Sequence, residues 1–87
     1  MKVTIVYSEP EEIKSVKLPE DLDVTLLDEN SVKTQRKARS IKSHFAAIQT
    51  PCVFVANDKD DVFKVFYREE FKDPIDKFLE WFDENRS

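Results

Sequence analysis

The chain of 87 residues contains no glycine, although average usage of about 7% would supply roughly six. Glycine lets a backbone come close to a phosphate and take positive φ at no steric cost. Its absence removes every phosphate-cradling glycine loop, from the Walker A motif to the dinucleotide fingerprint. One cysteine and one histidine likewise cannot build a disulfide framework, a thiolate zinc site or a Cys-x-x-Cys pair within one chain. No cofactor is expected, and no metal site. The length suits a single domain over residues 1–87, since a chain of this size buries only about 60% of its unfolded surface in one small core. With 40% hydrophobic residues and seven phenylalanines, it lies outside the composition of disordered chains.

The apolar runs are short. Val3 to Tyr7 and Cys52 to Ala56 hold five residues each, below the length of a signal-peptide core or a membrane helix. Together with an unpaired cysteine, this predicts a protein of the reducing cytoplasm with no membrane partner.

Val3-Thr4-Ile5-Val6-Tyr7 is β-branched and aromatic and reads as a buried central strand. Ser8 with Glu11 three residues on is a capping-box pattern, and Glu9, Glu11 and Glu12 place negative charge where a helix dipole favours it. A short helix is predicted from Glu9 to Lys17, burying Ile13, Val16 and Leu18 and closed by Pro19. Leu22 to Leu27 reads as a second strand. Asn30 or Ser31 then caps a predicted helix to Ile48, with Thr34, Ala38, Ile41, Phe45 and Ile48 on one face and Lys33, Arg36, Arg39, Lys42 and Ser43 on the rest. Cys52 to Val55 and Val62 to Tyr67, joined by Asn57-Asp58-Lys59-Asp60, read as a hairpin. Asp73-Pro74 starts the last helix, whose Ile75, Phe78, Leu79 and Phe82 recur at i, i+3, i+4 and i+7.

The order is therefore β-α-β-α-β-β-α. Two strand-helix-strand crossovers imply parallel pairing, and the hairpin adds an antiparallel edge. The expected fold is α/β, a mixed four-stranded sheet with helices on both faces. A ferredoxin-like sandwich is disfavoured because the last element is a helix.

Thr50-Pro51 before an apolar strand, a polar turn, a second strand and a capped final helix resembles the C-terminal half of the thioredoxin and glutaredoxin family. Val3 to Tyr7 followed by Ser8-Glu9-Pro10 is similar to the family's first strand and the Tyr-Ser-x-Pro ahead of its redox motif. The resemblance implies a thioredoxin-like fold with a cis Thr50-Pro51 bond facing the site. Where the family places Cys-x-x-Cys, however, this chain has Glu9-Pro10-Glu11-Glu12, which can form neither a thiolate nor a mixed disulfide. The family's redox activity is expected to be absent.

Cys52 follows the proline that would border such a site. It reads as a small buried hydrophobe, with monothiol exchange as the alternative and Cys52 then the catalytic residue. His44 reads as a boundary residue and not as a partner for Cys52. Glu9, Glu11 and Glu12 read as a first-turn capping set in preference to an acid–base pair, and Asp58, Asp60 and Asp61 as a solvated turn lacking the pattern of a calcium loop. Tyr67, Phe71 and Trp81 suggest an apolar contact patch, or else Trp81 fills a gap in the core.

Charge is distributed unevenly. The segment 31–48 carries five cations and no carboxylate, while the other residues carry nine cations against eighteen carboxylates. Such a helix can meet an acidic partner or nucleic acid, but the net charge of −4 and the lack of interleaved aromatics argue against nucleic acid.

The function read from the sequence is a redox-inactive protein-binding module without enzymatic activity, fitting a phage or accessory protein that acts on a host factor. Its contact surface is Ser8, Glu9, Pro10, Glu11 and Glu12 with Thr50 and Pro51, or else Lys33, Arg36, Arg39 and Lys42. Lys64 on an edge strand favours a monomer.

Overall fold

Lys2–Tyr7 forms β1, a strand paired along both edges, as its run of apolar residues on both sides requires. The structure, a computed structural model, describes residues 1–85. After β1 come α1 (Glu11–Lys14), β2 (Asp23–Asp28), α2 (Gln35–His44), β3 (Cys52–Ala56), β4 (Val62–Phe66) and α3 (Pro74–Asn85). They make an α/β fold with one mixed four-stranded sheet in the order β2-β1-β3-β4.

β1 and β2 run parallel, from Lys2 opposite Asp23 to Tyr7 opposite Asp28. β3 runs antiparallel to β1, with Val6 opposite Cys52 and Lys2 opposite Ala56. This corrects the expectation of two parallel crossovers. β2 ends beside Tyr7 and β3 begins beside Val6, so the segment between them leaves and re-enters the sheet at the same end. A return to the same end forces antiparallel pairing. β4 is the antiparallel edge.

Alternation along the strands separates two cores. Val3, Ile5, Val53 and Val55 face one side, where Phe66 and the α3 residues Ile75, Phe78 and Phe82 complete a buried cluster, flanked by Ile13, Val16 and Leu18. Val6, Cys52 and Phe54 face the other, with Leu27, the α2 residue Ala38, and Ala47. Every residue of β3 is buried. The helices thus cover both faces of the sheet.

Helix limits are tighter than the sequence implied. α1 is one turn and not Glu9 to Lys17, because Pro10 starts it and Leu18, held out of helical space by Pro19, docks as extended chain on the α3-side core. α2 spans Gln35–His44 and not 31–48. At its start Thr34 Oγ1 donates to the Asp28 carbonyl at 2.7 Å and accepts from the Asp28 N–H at 3.1 Å, which ties Thr34 to the strand end. At its end Ala46 adopts φ 56, with its N–H on the Ser43 carbonyl at 3.2 Å and the Ala47 N–H on the Lys42 carbonyl at 2.8 Å. This is a Schellman terminus, usually closed by glycine; in a glycine-free chain alanine takes the left-handed position. Beyond that reversal Ile48 points to solvent, 77% exposed, and is not part of the apolar face.

The aromatic residues also divide between the faces. Phe71 and Trp81 pack on Phe66 from the α3 side, whereas Tyr67 belongs to the α2 side and donates its hydroxyl to the Phe45 carbonyl at 2.8 Å. Tyr67, Phe71 and Trp81 therefore form no common patch, and Trp81 packs against the core, the other reading the sequence allowed. Lys64 lays its ammonium over the Phe66 and Trp81 rings, 5.1 and 5.9 Å from their centroids. Among the described residues, no helix is long and apolar enough to cross a membrane.

Candidate functional site

Because β1 and β2 are parallel and β3 returns antiparallel, the loops after β1 and β2 and the loop before β3 meet at one end of the sheet. Their polar residues form one hydrogen-bonded network. Glu12 of α1 reaches back with Oε1 to accept the backbone N–H groups of Ser8 at 2.7 Å and Glu9 at 2.8 Å, and the Thr50 hydroxyl at 3.3 Å. Glu12, and not Glu11, is thus the residue that completes the turn, since the insertion of Pro10 at the helix start moves the reach back by one position. Ser8 Oγ donates to Glu29 Oε2 and lies 2.8 Å from Thr50 Oγ1. With the Ser8 proton spent on Glu29, Thr50 is the donor to Ser8 or Glu12.

Glu29 carries the far end. Its Oε1 accepts Lys42 Nζ at 2.7 Å, the two side chains being 19% and 11% exposed. Burial pushes the Glu29 carboxyl up, but hydrogen bonds from Lys42 and Ser8 and the charges of Lys42 and Arg39 outweigh it and hold it below the ordinary 4.5. A carboxylate stabilised in that way is a weak base, so the network positions loops and does not activate the Ser8 hydroxyl. Lys42, expected among free surface cations, is committed to this pair.

Glu12 and Thr50, at one end of the network, help to line an open cleft of about 460 Å³ between α1, Pro51 and the start of α3. Glu11, Glu12, Thr50 and Pro51 line it together with Val16, Arg68, Lys72 and Ile75. The opposite loop is also clamped: the Glu69 carboxylate accepts the N–H groups of Gln49 at 2.7 Å and Ile48 at 3.4 Å, fixing the approach to Thr50. The Thr50–Pro51 bond is cis, the isomer that the family resemblance implies. Glu9 and Pro10, the other two residues of the expected contact surface, are exposed on the loop above α1.

Neither cysteine nor histidine lines this cleft. Cys52 is fully buried on the α2 side, and burial pushes its thiol up to about 12, with Lys42 opposing and Glu69, Glu29 and Glu12 adding to the rise. It is protonated at neutral pH, whereas nucleophilic thiols need the thiolate. His44 is exposed, edge-on to Phe45 at 4.7 Å. No group of three or more His, Cys, Asp or Glu among the described residues is arranged to hold a metal ion.

Lys33, Arg36 and Arg39 lie on the outer side of the α2 segment, away from the cleft's lining. Of the second surface singled out in the sequence, Lys42 alone joins the first, through Glu29 and Ser8. Sequence reasoning missed Glu29, Arg68, Lys72 and Glu69. A signal for Glu29 existed: residues that follow two parallel strands emerge at the same end of a sheet, so it had to lie near Ser8. Arg68, Lys72 and Glu69 sit in a charged loop with no periodic pattern to single them out. The chain matches no protein-family model, no curated protein and no solved structure.

Proposed function

We propose that the chain is a redox-inactive thioredoxin-like domain that works as a protein-binding module, taking an extended segment of a partner into the cleft beside Thr50 and Pro51. The observation that carries this reading is the combination of a clamped cleft rim with a thiol buried behind the sheet. Glu12 ties the turn after β1 to Thr50, and Glu69 holds the backbone ahead of Thr50; such preorganisation lowers the entropic cost of capture. Val16, Pro51 and Ile75 offer apolar contact, and Arg68 and Lys72 offer donors to peptide carbonyls or carboxylates. The order of elements and the sheet order β2-β1-β3-β4 support the thioredoxin-like assignment.

The experiment has two arms. Insulin-disulfide reduction is expected to run no faster than the dithiothreitol background, and Cys52 is expected to react with an aromatic disulfide reagent only after unfolding. Peptides selected against the folded protein should shift the amide resonances of Thr50, Arg68 and Lys72, and lose affinity in Arg68→Glu. Thiol-dependent turnover, or selected peptides that all map elsewhere, would overturn the proposal.

A further inference from the structure

The start of α2 runs against the electrostatic preference of a helix N-terminus. Arg36 and Lys37 stand in the first turn of α2, where no carboxylate is present and where the helix dipole disfavours positive charge. Lys33 with Arg36 and Lys37, and Arg36 with Arg39, fall three and four residues apart, the spacing at which like charges repel on a helical surface. All four are exposed. None makes an ion pair among the described residues, although the chain holds eighteen carboxylates. Lys42, on the same helix, shows that pairing is available where the fold needs it. Exposed Val32, at 87%, precedes this strip.

We infer that the outer face of the α2 segment, Val32, Lys33, Arg36 and Arg39, is a docking surface for an acidic segment of a partner protein. Charge complementarity selects the occupant. The helix is about 15 Å long, so the cationic strip matches a short peptide stretch. The remainder of the chain carries nine more carboxylates than cations, which would repel a longer polyanion extending past the strip. The surface is distinct from the cleft, so either can fail without the other.

The test is fluorescence anisotropy with a fluorescein-labelled glutamate-rich peptide, its glutamine counterpart, and a single-stranded DNA of equal charge. The glutamate peptide should bind, the glutamine peptide should not, and affinity should fall about tenfold between roughly 50 and 300 mM salt as screening shortens the field. Lys33→Glu with Arg36→Glu should weaken binding at least about tenfold, with a melting temperature equal to or above that of the parent, because the new carboxylates suit the helix start. Lys33→Gln with Arg36→Gln should weaken it less, and Lys17→Glu should leave it unchanged. Equal binding of the two peptides, insensitivity to charge reversal, or tighter binding of the DNA would overturn the inference. So would concentration-dependent dimers in sedimentation that the charge reversal dissolves, since the occupant would then be a second copy.

Discussion

Beneath α3 the sheet meets Ile75, Phe78 and Phe82, with Trp81, Phe71 and Phe66 packed ring to ring at about 6 Å. Beneath α2 it meets Ala38 and Ala47, with Ile41 and Phe45 only partly covered. The first face gains from large apolar area and aromatic contacts. The second is thinner, since α2 places only the small Ala38 fully against it while Lys33, Arg36, Lys37 and Arg39 stay exposed. The buried apolar area is thus concentrated on the α3 face.

The largest expected effect tests that division directly. Phe78→Ala removes the fully buried ring at the centre of the α3 face and should lower unfolding free energy by about 3–5 kcal/mol, read as a shift of the urea midpoint. Ile41→Ala, on the thin face, should cost clearly less; equal losses would refute the asymmetry. A smaller effect separates the faces by pH. Glu29 is held below 4.5 in the folded protein, so the unfolded chain binds its proton first as pH falls. The stabilisation from Glu29 is therefore complete above about pH 4.5 and lost as pH drops through the folded value. Glu29→Gln should lower stability at pH 7 and reduce the acid-side slope, in urea titrations across that range. The smallest effect is a gain: Ala46→Gly, at φ 56, should stabilise by about 1 kcal/mol by relieving the left-handed strain on a Cβ-bearing residue, seen as a higher melting temperature. No gain there would mean that the terminus owes its shape to the Tyr67–Phe45 hydrogen bond.

The seven elements were legible because each rests on a local signal: β-branched runs for β1 and β3, the i, i+3, i+4, i+7 pattern of α3, and Asp73-Pro74 at its start. The ends of α2 were not, since they depend on where Thr34 meets Asp28 and where Ala46 reverses the chain, and both are tertiary events. The direction of β3 was missed for a related reason, because periodicity says nothing about the end of the sheet at which a long segment re-enters. At the site, Ser8, Thr50 and Pro51 were readable from turn chemistry and from the resemblance to a known family, whereas the capping-box pattern pointed to Glu11 and the carboxylate that closes the turn is that of Glu12. The Glu29–Lys42 pair was not, because it is made across the fold and leaves no spacing in the sequence.

The antiparallel pairing of β1 with β3 also bears on biosynthesis. Lys2 finds its cross-strand neighbour at Ala56 and Val6 finds Cys52, so one edge of the central strand waits through some fifty residues of translation, a few seconds at about 5–20 residues per second. Until then the nascent chain presents a β-branched strand with an open edge, the kind of segment that chaperones shield. Pairing with β3 closes that edge, so β1 takes its place between two neighbours only after residues 52–56 have been made.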